Sequence, residues 1–189
     1  MISLVVGLGN PGDEYKKTRH NAGFLLLDAL ASKYSVSFSY ESKFKADVAK
    51  LMFDGNSVRL LKPQTFMNKS GLSVRACANY FGVSAEQILV VHDELDIDVG
   101  LTRLKFGGGH GGHNGLRDII TQMSTKDFYR LRLGIGHPGN RNKVVSYVLK
   151  APSKDEMQLL EEVMRQAIDE MPAICRGDHQ LVMSRLHGK

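Results

Sequence analysis

"ISLVVGLGNPG" (Ile2–Gly12) decides which kind of α/β architecture this chain adopts. Ile2 to Val6 is a short apolar run closed by glycine, the pattern of a buried strand. The loop that follows, "GLGNPG" (Gly7–Gly12), matches the G-x-G-x-x-G dinucleotide fingerprint letter for letter. That fingerprint requires a helix opening at the motif, so that the helix N-terminus meets the pyrophosphate. Here Pro11 and the polar run "DEYKKTRH" follow, and no apolar face begins before Phe24. The acidic residue near the expected distance, Asp28, falls inside a helical pattern rather than at the end of a second strand. Both features count against a dinucleotide site. What remains is a loop at a strand end, presenting Asn10.

Outward from this strand the pattern alternates between strand and helix. Phe24, Leu27, Ala31 and Tyr34 recur at helical spacing, with Leu26 and Leu30 beside them. "FKADVAKLMFDGNSVRLLKP" (Phe44–Pro63) predicts two strands joined by a turn at Asp54-Gly55. Val74, Cys77, Ala78 and Phe81 predict a second helix, closed by Gly82. "ILVV" (Ile88–Val91) is another buried strand that runs directly into "HDEL". "LTRLKF" alternates, and Leu116, Ile119, Ile120 and Met123 form a helical face. In "YRLRLGIG", Leu131, Leu133 and Ile135 point one way and Arg130 and Arg132 the other. The tail opens with a capping-box pattern, Ser153 to Glu156, and Met157, Leu160, Met164, Ile168 and Met171 continue as a helix that Pro172 is expected to kink or end. The expectation is one α/β domain over residues 1–189, a mixed twisted sheet with helices on both faces.

Composition narrows the function. With 42% hydrophobic and 24% charged residues, this is the make-up of a globular protein with a core of its own. The two cysteines, Cys77 and Cys175, form neither a disulfide framework nor a metal spacing. The N-terminus has no basic segment before its short apolar run, and no stretch is long enough to cross a bilayer, so a cytoplasmic protein is expected. Net charge +5 and a pI of about 9.2 favour a polyanionic partner mildly, since the cations are not gathered into one block.

Chemistry-bearing residues collect at element ends. Asn10 follows a strand, His20 precedes a helix, Asn68 begins one, Asp93 ends a strand and Asn114 begins a helix. In α/β proteins ligands gather outside the carboxyl ends of strands, where such loops converge. A histidine, an aspartate and three asparagines suit water-mediated hydrolysis: the imidazole takes a proton from water, the carboxylate fixes its tautomer, and amides donate to an oxyanion. Each of them also suits a plain cap or turn. "KFGGGHGGHNGL" (Lys105–Leu116) carries six glycines around two histidines. A metal site built on His110 and His113, with His92 or Asp93 as a third ligand, stays open, although three-residue spacing needs a helix and His110 lies among glycines. A cap at His113 or Asn114 for the following helix is the plainer reading.

The motifs "GLGNPG", "YKKTRHNAGF", "KPQTFMNKSG", "HDELD", "KFGGGHGGHNGL" and "RLRLGIGHPG" occur in this order between Leu4 and about Leu149. Together they resemble the bacterial peptidyl-tRNA hydrolases, which cleave the ester between a peptide and the 3′ end of tRNA. The resemblance implies His20 as general base, Asp93 as its supporting carboxylate and Asn10 as a group that bonds the peptide portion. It implies that Asn68 and Asn114 bind substrate near the ester, with Met67 and His113 lining the site. Tyr15 and Phe66 would contact the tRNA end, and Lys105 and Arg132 tRNA phosphate. Arg103 and Arg130 would widen that basic rim, and the glycine loop would be a mobile wall. No cofactor or metal, a peptidyl-tRNA partner, no membrane and a monomeric state are implied as well. Two rivals remain: a metal-dependent hydrolase using His110 and His113, and a non-catalytic RNA-binding module in which His20 and Asp93 are a structural pair.

Overall fold

The computed structural model describes residues 1–187. One seven-stranded sheet runs through it, in the order β2-β3-β4-β1-β5-β7-β6. β1 (Leu4–Gly7) lies at its centre, parallel to β4 (Asn56–Pro63) on one side and β5 (Ile88–Glu94) on the other. β7 (Tyr129–Gly134) continues the parallel set from β5. The antiparallel strands are outermost: β3 (Ala46–Phe53) on β4, β2 (Ser39–Glu41) on β3, and β6 (Thr102–Phe106) on β7. The sheet is therefore mixed, as expected. Asp54 and Gly55 both take positive φ, 51° and 82°, and so make the tight turn between β3 and β4.

Both faces are covered, because successive residues of a strand point to opposite sides. Val5, Leu60, Leu89, Val91, Leu131 and Leu133 enter one core, which they share with α1 (Ala22–Lys33), α5 (Lys154–Arg176) and α6 (His179–His187). Leu4, Val6, Leu61, Ile88 and Val90 enter the other, against α2 (Ser70–Phe81) and α3 (Asn114–Met123). Gly82, at φ 64°, closes α2.

Of the two outcomes expected at Pro172, a kink or an end, the helix does not end there. α5 runs unbroken from Lys154 to Arg176 with Pro172 inside it. A proline in a helix interior forfeits one backbone hydrogen bond and costs about 3 kcal/mol. Here Ile168, Met171, Ala173, Ile174 and Cys175 are all buried around it, and burial of the Ile and Met side chains alone returns about 1.5–3 kcal/mol apiece. Packing on both sides of the proline outweighs the local defect.

The glycines that mimic a dinucleotide fingerprint serve contact between helix and strands instead. A Cβ on Gly7 would lie 2.5 Å from the Gly23 carbonyl oxygen, and one on Gly23 would lie 2.4 Å from both the Leu8 nitrogen and the Val91 oxygen. The first turn of α1 thus rests directly on the carboxyl ends of β1 and β5. That contact carries the residues just before α1 up to the end of β5.

Candidate active site

His20 sits in a 3₁₀ turn, Arg19–Asn21, that leads into α1, and Asp93 is the penultimate residue of β5. Their side chains meet: His20 Nδ1 lies 2.9 Å from Asp93 Oδ2 and 3.1 Å from Oδ1. Against an ionised carboxylate Nδ1 is the donor, so the Nε2 lone pair is left on the cavity side of the ring.

Asp93 receives a second imidazole. His113 Nε2 is 2.8 Å from Asp93 Oδ1. The other nitrogen of His113, Nδ1, accepts from the backbone N–H groups of Gly115 and Leu116 and caps α3. That fixes the tautomer, with the proton on Nε2 pointing at the carboxylate. The cap expected at His113 or Asn114 is therefore His113. A third histidine, His92, donates from Nδ1 to the Asp93 carbonyl oxygen at 2.8 Å and stacks edge-on against His113.

These contacts set the charges. Burial pulls the His20 imidazolium down, but the Asp93 charge and hydrogen bond more than offset it and raise the ring above its ordinary value. Burial would push the Asp93 carboxyl up; the charges of His20 and His113 and the hydrogen bonds from both hold it well below the carboxylate range. His92 is pushed down to about 3 by burial first and by His113 second, so it is neutral.

Asn10 is fixed by neighbours on both sides. Asn21 Oδ1 accepts from the Asn10 backbone N–H at 2.9 Å, and Asn21 Nδ2 donates to the Asn10 carbonyl at 3.0 Å. Asn10 Oδ1 accepts from the Met67 N–H at 2.7 Å, which orients the amide and leaves its NH₂ free to donate. Met67 opens a 3₁₀ turn, Met67–Lys69, on which Asn68 is exposed. Asn114 begins α3, and its Oδ1 accepts from Arg117, so its NH₂ is also free.

Asn10, His20, Phe66, Met67, Asn68, Asp93, His113 and Asn114 line one cavity of about 270 Å³. The rest of its lining is largely apolar: Leu95, then Val144, Val145 and Val148 of α4 (Val144–Val148), followed by Leu149. Tyr15 is half-buried and outside this cavity. Lys105 and Arg132 line a neighbouring concavity of about 340 Å³ that shares Glu94 and Gly111 with the first. Arg103 faces Arg132 across the β6–β7 ladder, in keeping with a basic rim.

Arg130 does not belong to that rim. It is 2% exposed, and its guanidinium donates to the carbonyls of Gly108, Gly109 and Lys126, bracing the glycine loop from beneath. Gly107, Gly108, Gly111 and Gly112 all take positive φ, which explains the glycine density. Asn21, the wall from α4 and the second imidazole on Asp93 escaped sequence reading. Only Asn21, adjacent to His20, left a usable signal there.

His20, Asp93 and His113 offer ligand atoms within 4.8 Å of one another. A metal ion does not fit them as they stand. Both ring nitrogens aimed at the carboxylate carry hydrogens, and His113 Nδ1 is committed to the α3 amides. The pairing of His110 with His113 fails also: His110 Nδ1 accepts from the Gly112 N–H, and its side chain borders the second concavity.

The whole chain has close counterparts. A family model described as peptidyl-tRNA hydrolase matches residues 4–189. The peptidyl-tRNA hydrolase of Nitrosomonas europaea is 50% identical over 186 residues, 98% of this chain and 95% of that protein. That of Neisseria meningitidis is 51% identical over 188 residues, 100% of this chain and 98% of that protein. The crystal structure of the Acinetobacter baumannii peptidyl-tRNA hydrolase superposes with a TM-score of 0.95 at 44% identity, covering 98% of this chain and 94% of that one. A purine nucleoside phosphorylase from Toxoplasma gondii, at TM-score 0.54 and 6% identity, shares the fold alone. With the match running from the first strand to the last helix, the chain belongs to the peptidyl-tRNA hydrolase family.

Proposed function

We propose that this chain hydrolyses the ester joining a peptide to the 3′ end of tRNA, with His20 as general base and no metal. The observation that carries the reading is the His20–Asp93 pair, joined at 2.9 Å, with the free ring nitrogen on the cavity side. Neutral His20 takes a proton from water as the oxygen attacks the ester carbonyl. Asp93 stabilises the imidazolium that forms. The free NH₂ groups of Asn10, Asn68 and Asn114 donate to the oxyanion and to the peptide. Collapse of the intermediate breaks the bond to the ribose 3′-oxygen, which takes its proton back from His20, and peptide acid and tRNA leave.

Phe66, 59% exposed at the cavity mouth, offers a face on which the terminal adenine can stack, with Tyr15 farther along the tRNA end. Lys105 and Arg132 meet phosphate, a contact that carries no sequence information and suits an enzyme acting on every tRNA. In this reading the chain acts as a monomeric single domain, built on one continuous seven-stranded sheet. A cytoplasmic location follows from the substrate, and no helix among the described residues is long and apolar enough to cross a membrane.

The test is release of N-acetylated amino acid from charged tRNA, with EDTA present and the free-amine aminoacyl-tRNA as control. Chelator-resistant cleavage of the blocked substrate is expected. His20→Ala should fold and lose about 10²–10⁴-fold in rate. Near-full activity in that variant would remove His20 from the mechanism.

A further inference from the structure

We propose that Arg19 is a positioning residue that seats the apolar wall α4 beside the turn that carries His20, and that this wall receives the side chain of the amino acid esterified to tRNA. The inference rests on the hydrolase reading above and deepens it. α4 is five residues long, and only Val148 in it is buried. A helix of one turn has no stability of its own, so something else must hold it in place.

Arg19 is 8% exposed and ties this segment down at several points. Its backbone N–H donates to the Lys150 carbonyl at 3.0 Å. Its guanidinium donates to the carbonyl of Tyr147 in α4 at 3.0 Å, which also accepts from the Lys150 N–H, and to that of Lys150, two residues past the helix, at 3.4 Å. A cation there also complements the helix dipole. The guanidinium carbon lies 3.9 Å from the centre of the Tyr147 ring, whose hydroxyl donates to the Ile135 carbonyl at 2.5 Å. On its other edge the guanidinium donates to Glu156 Oε1 at 3.2 Å, and that oxygen also accepts from the Ser153 N–H at the start of α5. One planar group thus fastens the turn that carries His20 to the end of α4 and the start of α5. A lysine cannot reproduce a stacked fork with three acceptors.

The nature of the wall points to its ligand. Val144, Val145, Val148 and Leu149 are aliphatic, whereas the exposed ring at the cavity mouth is Phe66. Stacking an adenine suits the ring, and the aliphatic surface is left for an amino-acid side chain. If α4 drifts when Arg19 is lost, only substrates that use the wall should be affected.

The experiment compares Arg19→Gln, Arg19→Lys and Glu156→Gln with wild type on N-acetyl-leucyl-tRNA and N-acetyl-glycyl-tRNA. For Arg19→Gln we expect KM for the leucyl substrate to rise about tenfold, equivalent to about 1.4 kcal/mol, and KM for the glycyl substrate less than about twofold. The His20–Asp93 bond and the Arg19 backbone bond to Lys150 do not involve the replaced side chain and keep the His20 turn in place, so kcat and the acid limb of its pH profile should stay with wild type. Arg19→Lys and Glu156→Gln should show the same selectivity at smaller size; both fold even if Arg19→Gln does not, since each keeps part of the clamp. An equal KM rise on both substrates, or a loss of kcat with KM unchanged, would overturn the proposal and leave Arg19 as a stabilising residue. Failure of wild type to cleave either substrate would instead defeat the hydrolase reading itself.

Discussion

Replacing His92 with asparagine should flatten the acid side of the stability curve. His92 is 1% exposed, and its ring is pushed down to about 3 by burial and by His113. In the unfolded chain the same ring titrates near its ordinary value of about 6.5. Below that value the unfolded chain binds a proton that the folded protein does not, so stability is lost as pH falls from about 6.5 toward 3. Each pH unit in that window is worth about 1.4 kcal/mol, so the fall from pH 7.5 to pH 5.0 removes about 2 kcal/mol through His92 alone. This figure depends on the unfolded ring, because the folded ring is still neutral at pH 5. Asparagine can keep a donor near the Asp93 carbonyl, now served by His92 Nδ1. It adds a cavity whose cost is the same at both pH values and so cancels from the comparison. Urea unfolding at pH 7.5 and 5.0 measures the difference directly. The variant should lose about 2 kcal/mol less than wild type between the two pH values. Parallel curves for the two proteins would refute a neutral, buried His92.

The remaining predictions concern the reaction. Because Asp93 raises His20, kcat/KM should rise with pH through a value above about 6.5, where the base becomes neutral. In Asp93→Asn only burial remains to act on the ring, so the limb should move below that value while the rate at pH 8 falls about 10²–10⁴-fold; an unmoved limb would separate His20 from Asp93. Arg132→Ala should weaken tRNA binding and lower the log–log salt slope by about 0.7–0.9, the share of one phosphate. An unchanged slope would take Arg132 off the phosphate path.

Strands were legible wherever an apolar run was short and closed by a turn residue. β1 and the pair β3–β4 follow that rule, and β5 is legible from its apolar run alone, because burial on one or two faces leaves a pattern in the sequence. At Pro172 the expected end of the helix does not occur, for the converse reason. The local rule is sound, but the buried residues around Pro172 that override it come into contact only after folding. Arg130 shows the limit of alternation. Its face of β7 was assigned correctly, opposite Leu131 and Leu133, yet nothing in the pattern says that the glycine loop roofs that position. α4 left no signal because five residues hold little more than one helical turn. Within the cavity, the residues with recognisable chemistry are legible as strand-end and helix-start residues, whereas the apolar wall from α4 is not.

Three histidines surround Asp93, and their other bonds decide which of them can act as a base. His113 has both ring nitrogens engaged, one by Asp93 and the other by the first amides of α3. His92 has a free Nε2, but it is fully buried without a partner and its ring borders the second concavity, not the first. His20 alone combines a carboxylate on Nδ1 with an uncommitted Nε2 and a place in the cavity wall. The two other rings still matter for it. His113 donates a second hydrogen bond to Asp93 and keeps the carboxylate ionised, while neutral His92 adds no positive charge beside the pair. In the proposed mechanism a proton taken from water by His20 would therefore stay on the ring that lines the cavity, ready to return to the leaving oxygen.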